Sequence, residues 1–165
     1  MAEITVRPMR KGDVDRVYEI EVKSFRTPWS KHSLQGELKN DVARYMLLEE
    51  DGLVVAYGGM WVLFDESHMT NIAVHPDFRG KGYGRMLFVA MMAEAEKMGA
   101  SRMTLEVRET NTVAQSLYYS LDFEKEGYRR RYYEDTGEGA YLLWNGHVAE
   151  TVAKNACICV KYILK

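Results

Sequence analysis

Apolar positions along this chain switch between two periods, and the switches mark out its elements. Ile4 and Val6 alternate with Thr5 and Arg7, the period of a short strand. Gly12-Asp13 then opens a helix whose stripe is approximated by Val14, Val17, Tyr18 and Phe25, with acids in the early turns. Pro28 stops it. Ser30 is placed to cap a second short helix, with Trp29 and Leu34 at the positions of a hydrophobic staple. Phe25 to Trp29 is thus expected as an aromatic-flanked elbow between two helices.

Ala43 to Glu49 and Leu53 to Phe64 are rich in strand formers, and Asp51-Gly52 between them is a hairpin signal. Asp65-Glu66-Ser67 reads as a turn into a third consecutive antiparallel strand, Met69 to Val74. After a glycine-rich loop, Leu87, Met91, Ala95 and Met98 recur at helical spacing, and Gly99 suits the position after a helix end. Met103 to Val107 predicts another strand. Asn111 or Thr112 starts a helix with Val113, Leu117 and Leu121 on one face. Phe123 to Tyr133 and Ala140 to Trp144 read as a closing hairpin across Glu134 to Gly139. Asn145 to Lys165 fits a short helix and an extra strand, or a mobile tail.

The order β-α-α-β-β-β-α-β-α-β-β contains one βαβ unit, which makes its two strands parallel; the rest is hairpin-linked. A mixed α/β fold follows, with helices on the faces of a mostly antiparallel sheet of six to seven strands.

Composition narrows the class. The 165 residues suit one domain, 47% hydrophobic and 28% charged, with a net charge of −2. That balance argues against a nucleic-acid-coating protein. No apolar signal core opens the chain, and the longest uncharged run, Leu53 to Phe64, is too short to span a bilayer. Cys157 and Cys159 alternate with Ile158 as on one side of a strand, and a reduced cytoplasmic protein is expected. His32, His68, His75 and His147 lack metal-ligand spacing, so surface or structural roles and no metal are expected.

The chemistry-bearing stretch is the strand Met69 to Val74, the turn His75-Pro76-Asp77, then Arg79-Gly80-Lys81-Gly82-Tyr83-Gly84-Arg85 at a helix start. Free backbone N–H groups and the positive end of a helix dipole suit a phosphate there. The P-loop pattern fails because Gly82 follows Gly80-Lys81. The dinucleotide fingerprint has its third glycine one residue early and too long a turn before it, although Glu106 lies at a tolerable distance. Arg/Gln-x-x-Gly-x-Gly/Ala matches, with Arg79, Lys81 and Arg85 supplying charge. A solvated glycine-rich turn is the bland alternative.

Asn71-Ile72-Ala73-Val74-His75-Pro76 followed by that loop resembles the acetyl-coenzyme A motif of the GCN5-related N-acetyltransferases (GNAT). Leu105-Glu106-Val107-Arg108, then Asn111, Leu117-Tyr118 and Phe123, is similar to the ribosomal-protein-alanine and other amino-terminal acetyltransferases within that family. Phe25 to Ser30 and Tyr132-Tyr133-Glu134 resemble their two substrate-side segments. The resemblance implies residues 3–144 as the acetyltransferase domain and 145–165 as an extension of unknown role. It also implies a sheet splayed between its fourth and fifth strands, with about four helices.

The resemblance implies acetyl-coenzyme A as cosubstrate, held by the Ile72, Ala73 and Val74 backbone, by Arg79 to Arg85 (Gly80, Lys81, Gly82, Tyr83 and Gly84 between them), and by Asn111. A peptide α-amine has a pKa of about 7.7–8.0, so a base is useful at neutral pH. Glu106 is the candidate, against an ion-paired strand glutamate as the alternative. The resemblance places Tyr118, with Tyr119 beside it, as the acid for the leaving thiolate, a role that a neutral phenol donor fits, against a core or interface tyrosine as the alternative. Direct transfer in a ternary complex is simpler than a covalent acetyl-enzyme, since both cysteines lie outside the matched region.

Phe25, Pro28 and Trp29 on one side and Tyr132 and Tyr133 on the other can grip a peptide terminus, or simply pack on the sheet. Arg129-Arg130-Arg131 is either the charged face of a strand or an approach to an acidic or ribosome-bound partner. The implied activity is N-terminal acetylation of a protein, an alanine of a small-subunit ribosomal protein, by a monomer or weak dimer touching neither nucleic acid nor membrane. A family member acting on a small amine or lysine, and a non-catalytic coenzyme A-binding module, are the rivals.

Overall fold

In this computed structural model, residues 1–159 and 163–164 are described. β1 (Ile4–Pro8), α1 (Val14–Ser24) and α2 (Lys31–Glu37) precede three strands, β2 (Ala43–Glu50), β3 (Leu53–Leu63) and β4 (Glu66–Val74). Then come α3 (Tyr83–Lys97), β5 (Arg102–Arg108), α4 (Thr112–Ser120), β6 (Glu124–Arg129) and β7 (Ala140–Asn145). α5 (Val148–Lys154), the single turn α6 (Ala156–Cys159) and the two-residue β8 (Ile163–Leu164) close the described chain.

The sheet order is β6-β7-β5-β4-β3-β2-β1-β8. β4–β5 and β1–β8 run parallel, and the other neighbours antiparallel. Asp51 and Gly52 both have positive φ, at 51° and 83°, the geometry of a two-residue hairpin. The central strands are buried on both faces, which explains their unbroken apolar runs. On β2, Tyr45 and Leu47 join the core of α1 and α2, whereas Met46 and Leu48 join that of α3.

Several boundaries differ from the pattern. Glu66 and Ser67 pair with Leu63 and Val62 and already belong to β4, because Phe64 at φ 54° makes the turn earlier. Phe25 is extended and exposed, since α1 ends at Ser24; Ile20 and Glu21 fill its buried stripe instead. Val113 is also exposed, and α4 buries Gln115 and Tyr118, a face rotated by about one residue. β6 ends at Arg129, so Arg130 to Tyr133 lie in a loop, where Arg131 has φ 52°.

The described residues after Trp144 are structured into the fold. Asn145 is buried on β7 and donates to the Leu121 carbonyl and to Thr151 Oγ1, at 2.9 Å each. Val148 and Thr151 of α5 are also buried. The cysteines lie within the helical turn α6 rather than on one side of a strand, and Cys157 is exposed. The extra strand is β8, beside β1. Among the described residues five helices have seven residues or more, where about four are expected. Among the described residues no helix is long and apolar enough to cross a membrane.

Candidate active site

β4 and β5 pair over only three rungs, Glu66↔Arg102, Ser67↔Met103 and His68↔Thr104. Beyond them the strands part, which is the splay implied by the resemblance, and a cavity of about 280 Å³ lies there. Asn71 and Ile72 line it from β4, Leu105 to Arg108 from β5, and Asn111 and Tyr118 from the turn and helix that follow. Glu21, Phe25, Thr27 and Trp29 line it from the first helix and elbow, and Tyr133 from the β6–β7 loop.

The parting strand turns part of its backbone toward the slot. His75 donates its N–H to the Val55 carbonyl on β3 at 2.8 Å. Alternation along an antiparallel strand turns Ala73 toward β3 as well, and leaves the N–H groups of Ile72 and Val74 facing the slot. Of the three strand residues expected to hold cofactor, Ile72 and Val74 thus turn their N–H groups to the slot and Ala73 turns away from it.

Glu106 points into the cavity with its side chain about 10% exposed. His68 Nε2 lies 2.6 Å from Glu106 Oε2, and Arg129 lies 3.8 Å from Oε1. Burial alone pushes this carboxyl up. The His68 hydrogen bond and charge, together with Arg129, outweigh burial and hold it below the ordinary glutamate range. Histidine spacing in the sequence carries no hint of this pair; only the parallel register of β4 and β5 brings the two residues together.

Tyr118 is buried against Phe88 and Phe123, with ring centroids 5.1 and 6.0 Å away. Burial pushes its phenol up to about 12. Its neighbour Tyr119 is partly exposed and does not line the cavity. Asn111 caps α4, its Oδ1 accepting the Ala114 N–H at 3.1 Å. Gln115 Nε2 donates to the carbonyls of Arg108 and Glu109 at 3.0 Å, which fixes the turn between β5 and α4.

The glycine loop lies at the N-terminus of α3. Gly80 and Gly82 have φ of 81° and 82°, with open space where a Cβ would stand. That leaves room for a pyrophosphate to approach the backbone and the first free N–H groups of α3. The three loop cations are all engaged within the chain. Arg79 donates to the Val74 carbonyl, Lys81 pairs with Glu50 at 3.1 Å, and Arg85 reaches Ser120 and Asn155. Tyr83 also donates to Glu50, at 2.7 Å, so Glu50 ties the loop to β2.

On the acceptor side, Phe25, Trp29 and Tyr133 line the cavity, whereas Pro28 and Tyr132 do not. Pro28 is exposed, and Tyr132 packs edge-on against Tyr133 at 5.1 Å. Ser30 caps α2, accepting the Ser33 N–H at 3.1 Å. Glu21, absent from the sequence expectations, holds the elbow: its Oε1 accepts the Trp29 N–H at 3.0 Å. Burial pushes its carboxyl up, and Oε2 has no partner among the described residues. Arg108 is the other unexpected residue. It binds Asp135 and Glu138 and lies 3.9 Å from the Tyr133 ring centre, securing the loop that carries that tyrosine. Among the described residues no group of three or more His, Cys, Asp or Glu is placed to hold a metal ion.

Known proteins resemble this chain in sequence and fold. A family model described as the acetyltransferase (GNAT) family matches residues 14–123. The ribosomal protein bS18-alanine N-acetyltransferase of Escherichia coli K12 is 35% identical over 134 residues, 80% of this chain and 88% of its own length. A Bacillus subtilis protein that carries the same name provisionally is 42% identical over 140 residues, 84% of this chain and 93% of its own. The crystal structure of the Escherichia coli S18-alanine N-acetyltransferase superposes with a TM-score of 0.80 at 32% identity, covering 86% of this chain and 92% of that one. The chain belongs to the GNAT acetyltransferase family.

Proposed function

We propose that this protein transfers the acetyl group of acetyl-coenzyme A to the N-terminal amine of a protein, the terminal alanine of the small-subunit ribosomal protein bS18. The observation that carries the reading is that Glu106 and Tyr118 line one cavity opened by the parting of β4 and β5. The relatives' names support the acceptor.

Acetyl-coenzyme A supplies an activated thioester. In this reading the Gly80–Gly82 backbone and the first turn of α3 hold its pyrophosphate, with charge from Arg79, Lys81 and Arg85 once these exchange their present partners. Ile72 and Val74 N–H groups hold the pantetheine arm and polarise the carbonyl. Glu106 takes a proton from the acceptor amine, directly or through one water. Tyr118, kept neutral by burial, gives its proton to the departing sulfur. Both substrates are bound together and transfer is direct. Phe25, Trp29 and Tyr133 flank the incoming peptide. Residues 3–144 act as the catalytic domain in the cytoplasm, and 145–165 as an extension.

The test is acetyl transfer to peptides that begin with the bS18 N-terminus, with mass spectrometry of the product. Acetylation at the terminal alanine, and none of a terminally blocked peptide with an internal lysine, is expected. Preference for the lysine or for a polyamine would overturn the acceptor and leave the family membership standing.

A further inference from the structure

Glu106 is not free to rotate, and the groups that restrain it form a continuous set. His68↔Thr104 is the last paired rung of β4 and β5. Glu106 stands two residues further along β5, about 7 Å on and on the same face as Thr104. An imidazole spans that step, and its Nε2 reaches Oε2 at 2.6 Å. His68 is itself held: it lies opposite Trp61 on β3, and the two rings meet edge to face at 6.3 Å. The Trp61 indole N–H in turn donates to Glu37 Oε2 on α2 at 2.7 Å. The second carboxylate oxygen, Oε1, has Arg129 from β6 at 3.8 Å, beyond hydrogen-bond range. That arginine side chain is about 54% exposed and can yield to a substrate.

We propose that His68 is a positioning residue for acetyl transfer: its Nε2–H occupies Glu106 Oε2, so that Oε1 is the oxygen presented to the acceptor amine. This rests on the reading of Glu106 as the base. A carboxylate bound at one oxygen by a fixed imidazole has one productive orientation, and the acceptor amine is met without rotamer search. The other titratable groups facing the pair are Arg129, at 3.8 Å, and Tyr132 and Tyr133, whose phenols burial and the Glu106 charge both push up. For Tyr133, Arg108 works against that rise.

The experiment compares His68→Leu, His68→Gln and Glu106→Gln with the wild-type full chain. Initial rates are measured from about pH 6 to 9.5 with an alanine-first peptide, alongside thermal melting. His68→Leu removes the bond to Oε2, so kcat is expected to fall about tenfold or more with the KM for acetyl-coenzyme A unchanged. His68→Gln restores a neutral N–H donor of similar reach. It is expected to recover most of the rate across the whole pH range, because the hydrogen bond to Oε2 is restored. A His68→Leu enzyme with wild-type kcat and pH profile would overturn the proposal. So would Leu and Gln variants equally slow at every pH, the pattern of lost packing alone. A Glu106→Gln enzyme at the wild-type rate would overturn the base assignment and this proposal with it. A slow Glu106→Gln enzyme beside a normal His68→Leu enzyme would overturn only the role of His68.

Discussion

The Arg108 guanidinium lies 3.9 Å from the centre of the Tyr133 ring and makes a two-pronged bond to Asp135, at 3.0 and 2.8 Å. One side chain at the end of β5 thus anchors the β6–β7 loop through a stacking contact and an ion pair. Glu138 accepts from the same guanidinium at 3.0 Å. Arg108→Leu releases the loop, and the peptide KM is expected to rise about tenfold, with the acetyl-coenzyme A KM within twofold of wild type. Steady-state kinetics with each substrate varied in turn checks this. An unchanged peptide KM would remove Tyr133 from the acceptor side.

Glu21 holds the elbow at a cost that depends on pH. Its carboxyl is raised by burial, opposed only by the Trp29 N–H. A carboxyl with a folded value above its unfolded value binds more protons when folded, so it withdraws stability as pH rises from the ordinary glutamate value through the raised one. Glu21→Gln keeps an oxygen for the Trp29 N–H and removes the titration. Its melting temperature relative to wild type is expected to climb between about pH 4.5 and the raised value, then level off. Parallel melting curves for the two proteins at every pH would contradict this account.

Tyr118 is packed between Phe88 and Phe123, so deleting its hydroxyl leaves the packing intact. Tyr118→Phe is expected to lower kcat by about 10²-fold or more, to leave the acetyl-coenzyme A KM within about twofold, and to change stability by less than about 1 kcal/mol. Because burial pushes the phenol up to about 12, its ionisation lies above the working range, and no alkaline fall in rate below about pH 9.5 is assigned to it. A phenylalanine variant at wild-type turnover would return the acid role to water.

Gly82 caps α3 with φ of 82° and open space around its would-be Cβ. The barrier to a side chain there is conformational, not steric contact with neighbours. Gly82→Ala is expected to cost about 1 kcal/mol or more and to re-aim the first N–H groups of α3. The acetyl-coenzyme A KM should rise about tenfold while the peptide KM holds. Calorimetric binding of acetyl-coenzyme A gives the direct check, and wild-type affinity would place the pyrophosphate elsewhere.

Local pattern carried most of the architecture. The alternation in Ile4 to Arg7, the Asp51-Gly52 turn, the Ser30 cap and the Leu87-Met91-Ala95 stripe each depend on neighbours within a few residues, and each is found where local rules place it. Boundaries that failed, at Phe25, Glu66, Val113 and Arg130, lie where backbone geometry or a rotated helix face overrides composition. The family-bearing motif was likewise legible, because a glycine loop at a helix start is a contiguous sequence feature.

The sequence alone determined the family, the order of elements along the chain up to the closing hairpin, and the residues Glu106 and Tyr118 as candidates. Only the tertiary structure decided which groups surround them. His68 and Glu106 are 38 positions apart and meet because β4 and β5 run parallel for three rungs before parting. Glu21 reaches Trp29 across a helix end, and Arg108 reaches Tyr133 across a loop. Local propensity acts over a turn or a pleat, whereas the first contact is set by register between distant strands and the other two by where an elbow and a loop fold back, none of which periodicity within one segment encodes.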